Sequence, residues 1–174
     1  AILRSGVELG GDLIVAGVAD EEYASIGTER LVEDVRADAA IVCEPTGLKI
    51  VVAHKGFVWI DVNTWGRAAH GSRPDLGVDA IVKMGKFLGE VEEFQRIVLP
   101  RQRHRLLGNP SIHASIITGG TELSTYPDHC RLQLEVRTLP GQTSKSVERE
   151  IQKILDKLSG EDSQFKADLD IVFE

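Results

Sequence analysis

Three consecutive carboxylates, Asp20-Glu21-Glu22, follow closely on the almost wholly apolar run Asp12-Leu13-Ile14-Val15-Ala16-Gly17-Val18. Crowded acids repel one another, so a hard or borderline metal ion is their natural counter-charge. An apolar run ended by charge reads as a parallel strand buried on both faces. In open α/β sheets, ligands bind outside the carboxyl ends of such strands. A solvated acidic loop feeding a helix N-terminus, where acids are favourable anyway, explains the same residues. Glu44 ends a second run of this kind, Ala39-Ala40-Ile41-Val42-Cys43, and Pro45 then stops the strand. Two neighbouring strands that both end in acid favour a metal or acid–base site. His70 sits between Ala68-Ala69 and Gly71-Ser72 in a loop of three glycines and a proline, residues 66–77. Small neighbours leave its imidazole reachable, although a lone loop histidine is ordinarily a surface residue.

These side chains need elements to hold them. Residues 1–7 read as the end of a helix closed by Gly10-Gly11. Ser25 can cap a helix through Thr28, Leu31, Val32 and Val35. Strand, helix and strand at this spacing predict a βαβ unit with a right-handed crossover. That unit puts Glu44 on the same sheet edge as Asp20, Glu21 and Glu22. Residues 48–53 read as another strand, and His54-Lys55-Gly56 as a break. From Gly56 the pattern becomes alternating, which marks a half-exposed antiparallel strand and a domain boundary. The expected division is a partial α/β domain over 1–55 and a second domain over 56–174.

In the second domain, strands are expected over 57–65, over 112–117, around Leu132-Leu134-Val136, and over 165–173. The second of these has Ile112, Ala114 and Ile116 on one face. The last has Phe165, Ala167, Leu169, Ile171 and Phe173 inward. A helix over 78–97 presents Ile81, Met84, Leu88 and Val91. Another, over 144–158, starts at Thr143 or Ser144, presents Val147, Ile151, Ile154, Leu155 and Leu158, and stops at Gly160. The order βαββαβ predicts a ferredoxin-like α+β domain, an antiparallel sheet with two helices on one face.

Composition narrows the classes. The 174 residues carry a net charge of −7 and 42% hydrophobic residues. Such a chain can build a core, and its charge disfavours nucleic acid and anionic membranes as partners. No apolar run approaches the ~20 residues that span a bilayer, and no signal peptide is visible. Cys43 and Cys130 read as buried free thiols of a cytoplasmic protein. The chain opens on Ala in mid-pattern, so it reads as a fragment of a longer protein.

The motifs occur in a set order. Asp20-Glu21-Glu22 with Ser25 and Gly27 is followed by Glu44-Pro45-Thr46, then Lys55-Gly56, then Ala69-His70-Gly71-Ser72-Arg73-Pro74 with Gly77 and Ala80-Ile81. This ordered set closely resembles the M20 family of di-zinc aminoacylases and peptidases, over nearly the whole chain. Gly119-Gly120, Tyr126-Pro127-Asp128 and Arg137-Thr138-Leu139-Pro140-Gly141 resemble its deacylase branch.

The resemblance implies a zinc-binding α/β domain interrupted by a ferredoxin-like lid that dimerises. It makes Glu21 the general acid–base, Glu22 and Glu44 zinc ligands, and His70 an oxyanion donor acting across the dimer. It makes Arg137 the partner of a substrate carboxylate. Ser124 stands at a substrate-binding position of the long turn, where the family usually has Asn. The implied cofactor is a pair of zinc ions, with cobalt or manganese as substitutes, and the implied substrate is an N-acyl amino acid or small peptide. The family's remaining zinc ligands, a His-x-Asp pair, a bridging Asp and a late His, are expected outside these 174 residues. The chain alone is therefore expected to be inactive. The alternatives are a non-catalytic dimerisation module or inactive paralogue, and a ferredoxin-like ligand-binding domain joined to an unrelated α/β piece.

Overall fold

A computed structural model describes residues 2–174, with side chains from Arg4 onward. The chain divides into two compact units, Ala1–Lys49 and Ile50–Glu174. In the first, α1 (Ile2–Ser5) ends where Gly6 takes a φ of +70°, well before the expected Gly10-Gly11 stop. Residue 1 of that expected helix lies outside the described residues. Helix α2 (Ile26–Asp34) follows Ser25, as its sequence predicts. The expected cap contact is not made, because Ser25 sits in the left-handed region and its hydroxyl donates to the Glu21 carbonyl instead, at 3.2 Å.

The predicted βαβ unit does not form. Residues 12–18, 39–43 and 48–53 are in no strand, and Val15 and Ile41 are 87% and 92% exposed. Cys43 is exposed as well. The physical reason is that a parallel strand with apolar side chains on both faces is stable only between neighbours, under helices on each side. Within this unit the nine-residue α2 is the one helix longer than a single turn among the described residues. No described residue of the first unit is buried.

The second unit holds the core. Strand β1 (Gly56–Trp65) alternates between buried and half-buried residues. Helix α3 (Ala80–Glu93) starts behind Asp79, whose carboxylate accepts the Val82 N–H at 2.9 Å. It runs on through a π turn (Phe94–Val98) and a 3₁₀ turn (Leu99–Arg101). Strands β2 (Ser111–Gly119) and β3 (His129–Thr138) follow, then α4 (Ser144–Glu161) and β4 (Lys166–Phe173). All pairings are antiparallel, in the order β2-β3-β1-β4. Ile60, Val62, Leu132 and Leu134 pack with Met84, Phe87, Ile151 and Leu155 in one core cluster, so both helices cover the same face. Cys130 is buried there, and burial pushes its thiol pKa up.

Helix α4 matches its sequence pattern closely. All five predicted inward residues are buried. Thr143 and Ser146 form a reciprocal capping box, Thr143 Oγ1 accepting the Ser146 N–H and Ser146 Oγ the Thr143 N–H. The helix passes Gly160 and ends at Glu161.

Three expected faces are corrected. In α3 the buried set is Ala80, Lys83, Met84, Phe87 and Val91, while Ile81 is 43% exposed and Leu88 only partly buried. The helix is turned to bury the larger Phe87 ring and to set Lys83 against Asp162. In β2 only Ile112 of the expected inward set is buried, while Ala114 and Ile116 are exposed on either side of a register shift, because every residue of this edge strand beyond Ile112 is left uncovered. A similar shift of β4 against Trp59/Ile60 takes Phe173 off the core side, and its ring lies 5.7 Å from Phe57 and 5.5 Å from Trp59. The bulge in β4 turns the residue beyond it to the opposite face.

Lys83 and Lys86 both donate to Asp162 Oδ2 at 2.7 Å, and the Gln164 N–H donates to Oδ1 at 3.0 Å. Lys83, then Lys86, then the Gln164 N–H hold the Asp162 carboxyl well below its ordinary value of 3.8. A depressed folded-state pKa stabilises the protein above the unfolded value, and the gain fades as pH falls through it. Asp162→Asn should therefore lower the urea midpoint at pH 7, with the difference from wild type shrinking below about pH 4. An equal difference at pH 7 and pH 3 would contradict this.

Candidate functional site

In the first unit, the acidic stretch forms a tight loop rather than a strand end. Asp20 adopts a φ of +59°, its carboxylate accepts the Ala24 N–H at 3.2 Å, and its carbonyl accepts the Ser25 N–H at 2.6 Å. The Gly27 N–H bonds back to the Ala19 carbonyl at 3.2 Å. A Cβ at Gly27 would lie 2.4 Å from the Ala19 nitrogen, so only glycine lets the helix start return so close. Glu21, Glu22 and Glu44 are all exposed. The charges of Glu22, then Glu44, raise the Glu21 pKa above 4.5, with a Glu21–Glu44 hydrogen bond adding to the effect. The structure thus groups all three predicted acids.

Zinc takes about four donors in tetrahedral array. The crowded carboxylates are suitable donors for a cation. Yet among the described residues no three His, Cys, Asp or Glu side chains are arranged to hold a metal ion. The described residues by themselves do not complete a zinc site.

In the second unit, the loop carrying His70 is pinned along both flanks. The Gly66 N–H donates to the Asp128 carbonyl at 2.7 Å, and the Ala80 N–H to Pro127 at 2.9 Å. The Tyr126 N–H donates to the Ala69 carbonyl at 2.8 Å, and the Gly71 N–H to Ser124 at 2.7 Å. His70 pairs with Thr125 in an isolated bridge, so His70 and Ser124 are brought together. Gly66 is required sterically, since a Cβ there would meet the Val78 carbonyl oxygen at 2.1 Å.

His70 is exposed, and its Nδ1 accepts the Ser72 N–H at 3.2 Å with Ser72 Oγ 2.9 Å away. The Ser72 N–H makes Nδ1 an acceptor, an arrangement that leaves Nε2 as the ring's donor. Ser72 lies within the recognised motif, and this tautomer-setting contact was not foreseen. The short spacing His-x-Ser was the available signal.

Arg137 lies elsewhere. Its Nη1 donates to Glu135 at 3.1 Å, its Nη2 donates to the Lys55 carbonyl at 3.2 Å, and its guanidinium sits 5.7 Å from the Phe57 ring centroid. It lines a 370 Å³ cleft with His54, Lys55, Thr138, Ser144 and Glu174. In the β1–β3 register Arg137 is opposite Phe57, whereas the His70 loop leaves from Trp65 at the other end. Eight strand residues span roughly 27 Å. Within one chain, then, His70 and Arg137 stand at opposite ends of the sheet.

The profile of the M20 peptidase dimerisation domain matches residues 52–163. The chain belongs to the M20 peptidase family. It is 33% identical to an acetylornithine deacetylase of Myxococcus xanthus over 169 residues, 95% of this chain and 44% of that protein. It is also 33% identical to an acetylornithine deacetylase of Erwinia tasmaniensis over 135 residues, 75% of this chain and 35% of that one. This M20 chain therefore spans less than half the length of these curated relatives.

Among solved structures, it is similar to an aminobenzoyl-glutamate utilization protein from Klebsiella pneumoniae, with a TM-score of 0.54 and 17% identity over 69% of this chain and 28% of that one. It is likewise similar to an amidase of the hydantoinase/carbamoylase family from Burkholderia multivorans, with a TM-score of 0.55 and 10% identity over 69% and 28%. At those identities the likeness concerns the fold. No described helix of this M20 chain is long and apolar enough to cross a membrane.

Proposed function

We propose that the chain is the middle part of a metal-dependent amidohydrolase that removes the acyl group from N-acyl amino acids. The observation that carries this is its alignment to an acetylornithine deacetylase over 95% of its length, which takes in the acidic loop, the His70 loop and Arg137. Residues 1–55 are assigned to the catalytic α/β part and 56–174 to a lid of ferredoxin-like class. The strand order β2-β3-β1-β4 with two helices on one face supports that class.

Glu21 takes a proton from the attacking water and returns it to the leaving amine. A carboxylate placed beside the other two acids can carry both halves of that duty. Glu22 and Glu44 would supply carboxylates to a metal centre, whose charge would polarise the amide carbonyl, and further donors for it are not among the described residues. His70 donates its Nε2 proton to the oxyanion from the partner of a homodimer. Arg137 holds the substrate carboxylate with its planar fork, and Ser124 adds a hydroxyl contact beside His70.

The second reading is a dimerisation module without catalysis. It is favoured by the match of residues 52–163 to the peptidase dimerisation domain. An amine-release assay separates the two. The 174-residue chain with added zinc is expected to release no amine from N-acetyl amino acids, while an enzyme containing this chain and its flanking sequence does. Inactivity of that longer protein would favour the module. Zinc-dependent turnover by the short chain, lost on Glu21→Ala, would remove the assignment as a middle part.

A further inference from the structure

The two ring nitrogens of an imidazole can do opposite things. A nitrogen that carries hydrogen donates, whereas one with a lone pair accepts, takes a proton or binds a metal. At His70 the contacts of Ser72 decide which is which. The Ser72 N–H donates to Nδ1 at 3.2 Å, and a backbone amide nitrogen has no lone pair to offer in return. Ser72 Oγ lies 2.9 Å from the same ring nitrogen, and with Nδ1 accepting, the hydroxyl donates too. Two groups of one residue therefore converge on one lone pair.

The backbone keeps that grip in place. The Arg73 N–H donates to the His70 carbonyl at 2.8 Å, which closes a turn over 70–73 with Gly71 and Ser72 at its centre. A Cβ at Gly71 would stand 3.1 Å from the Ser124 carbonyl oxygen, so the chain between His70 and Ser72 lies close against the neighbouring turn. The Ser72 amide is thus held by the loop itself. The hydroxyl adds a second contact on a short side chain, which has little rotamer freedom to lose. With hydrogen on Nδ1 instead, the ring would set one N–H donor against another. Its Nε2 would then present a lone pair, which repels an oxyanion where a donor would hold it.

We propose that Ser72 is a positioning residue for His70, its amide and hydroxyl together occupying Nδ1 so that the ring offers the Nε2 hydrogen and no free lone pair. The proposal rests on the reading of His70 as an oxyanion donor and names the group that keeps it one. Ser72 itself touches no reacting atom. It acts by taking away the alternatives, because a ring whose Nδ1 is occupied and whose Nε2 carries hydrogen is neither a base nor a metal ligand. The amide and the hydroxyl are separable, since Ser72→Ala removes the hydroxyl and leaves the backbone N–H.

Nitrogen-15 NMR of the imidazole rings in the 174-residue chain, at about pH 9 where an ordinary imidazole is neutral, reads the tautomer directly. The His70 signals are assigned by their loss in His70→Gln. Wild type is expected to carry its hydrogen on Nε2, and Ser72→Ala to gain a measurable share of the Nδ1–H form. In an enzyme that contains this chain, Ser72→Ala is expected to lower kcat roughly tenfold with KM unchanged, the size of one lost hydrogen bond. Ser72→Thr, which keeps the hydroxyl, is expected to recover most of that loss. A wild-type ring with its hydrogen on Nδ1 overturns the proposal. So does a Ser72→Ala enzyme with unchanged kcat when His70→Gln is impaired, and that result leaves the oxyanion reading standing. An unimpaired His70→Gln enzyme overturns the oxyanion reading and the proposal with it.

Discussion

Glu21→Gln, made in an enzyme that contains this chain, is expected to lower turnover of an N-acyl amino acid by 10²-fold or more, within the range of about 10²–10⁴ for loss of a general acid–base. The amide keeps the size of the side chain and cannot take a proton. Metal content should stay near wild type, because the role proposed for Glu21 is proton transfer. Glu22→Ala and Glu44→Ala should instead reduce metal content. The three acids sit close enough for their charges to interact, which makes the exchange of roles a real alternative. Metal analysis beside steady-state kinetics decides it. Loss of metal in Glu21→Gln, with retention in Glu22→Ala, would reverse the two assignments.

Phe87→Ala is expected to destabilise the chain by about 3–5 kcal/mol, since its ring is fully buried between α3 and the sheet. Domains of this size are commonly stable by only about 5–15 kcal/mol, so the variant should be close to unfolding at 25 °C. Chemical denaturation followed by tryptophan fluorescence reads this directly, because Trp59 and Trp65 both lie on β1. A loss under 1 kcal/mol would mean that the core does not depend on α3. Hydrogen exchange supplies the companion measurement. Amides of β1, β3 and α4 should be slowest, and residues 12–43 fast, because no described residue of the first unit is buried. Slow exchange confined to 12–43 would contradict the burial pattern.

Much of the second unit was legible in the sequence because its elements carry local signals. The residues of α4 repeat at helical spacing and its start carries Thr143, so face and cap follow from neighbours a few positions apart. Alternation in β1 and β3 fixed their inward residues in the same way. What local patterns could not supply was pairing. The shift beside Trp59 arises only between strands, and it turned Phe173 away from its expected face, while the uncovered edge position of β2 left Ala114 and Ile116 exposed. The parallel strands predicted before residue 54 depend wholly on distant partners, and they do not form here.

The candidate site divides along the same line. The family resemblance that the motifs carry named Glu21, Glu22, Glu44, Ser124, His70 and Arg137. Tertiary structure decided that His70 meets Ser124, because the loop over 66–78 hydrogen-bonds to the turn at 124–128. It also decided that Arg137 lies a sheet's length away, because antiparallel register sets Phe57, not Trp65, beside it. Residue identity fixes which chemistry is available. Distance between residues far apart in sequence is set by pairing and packing, and no local pattern encodes it.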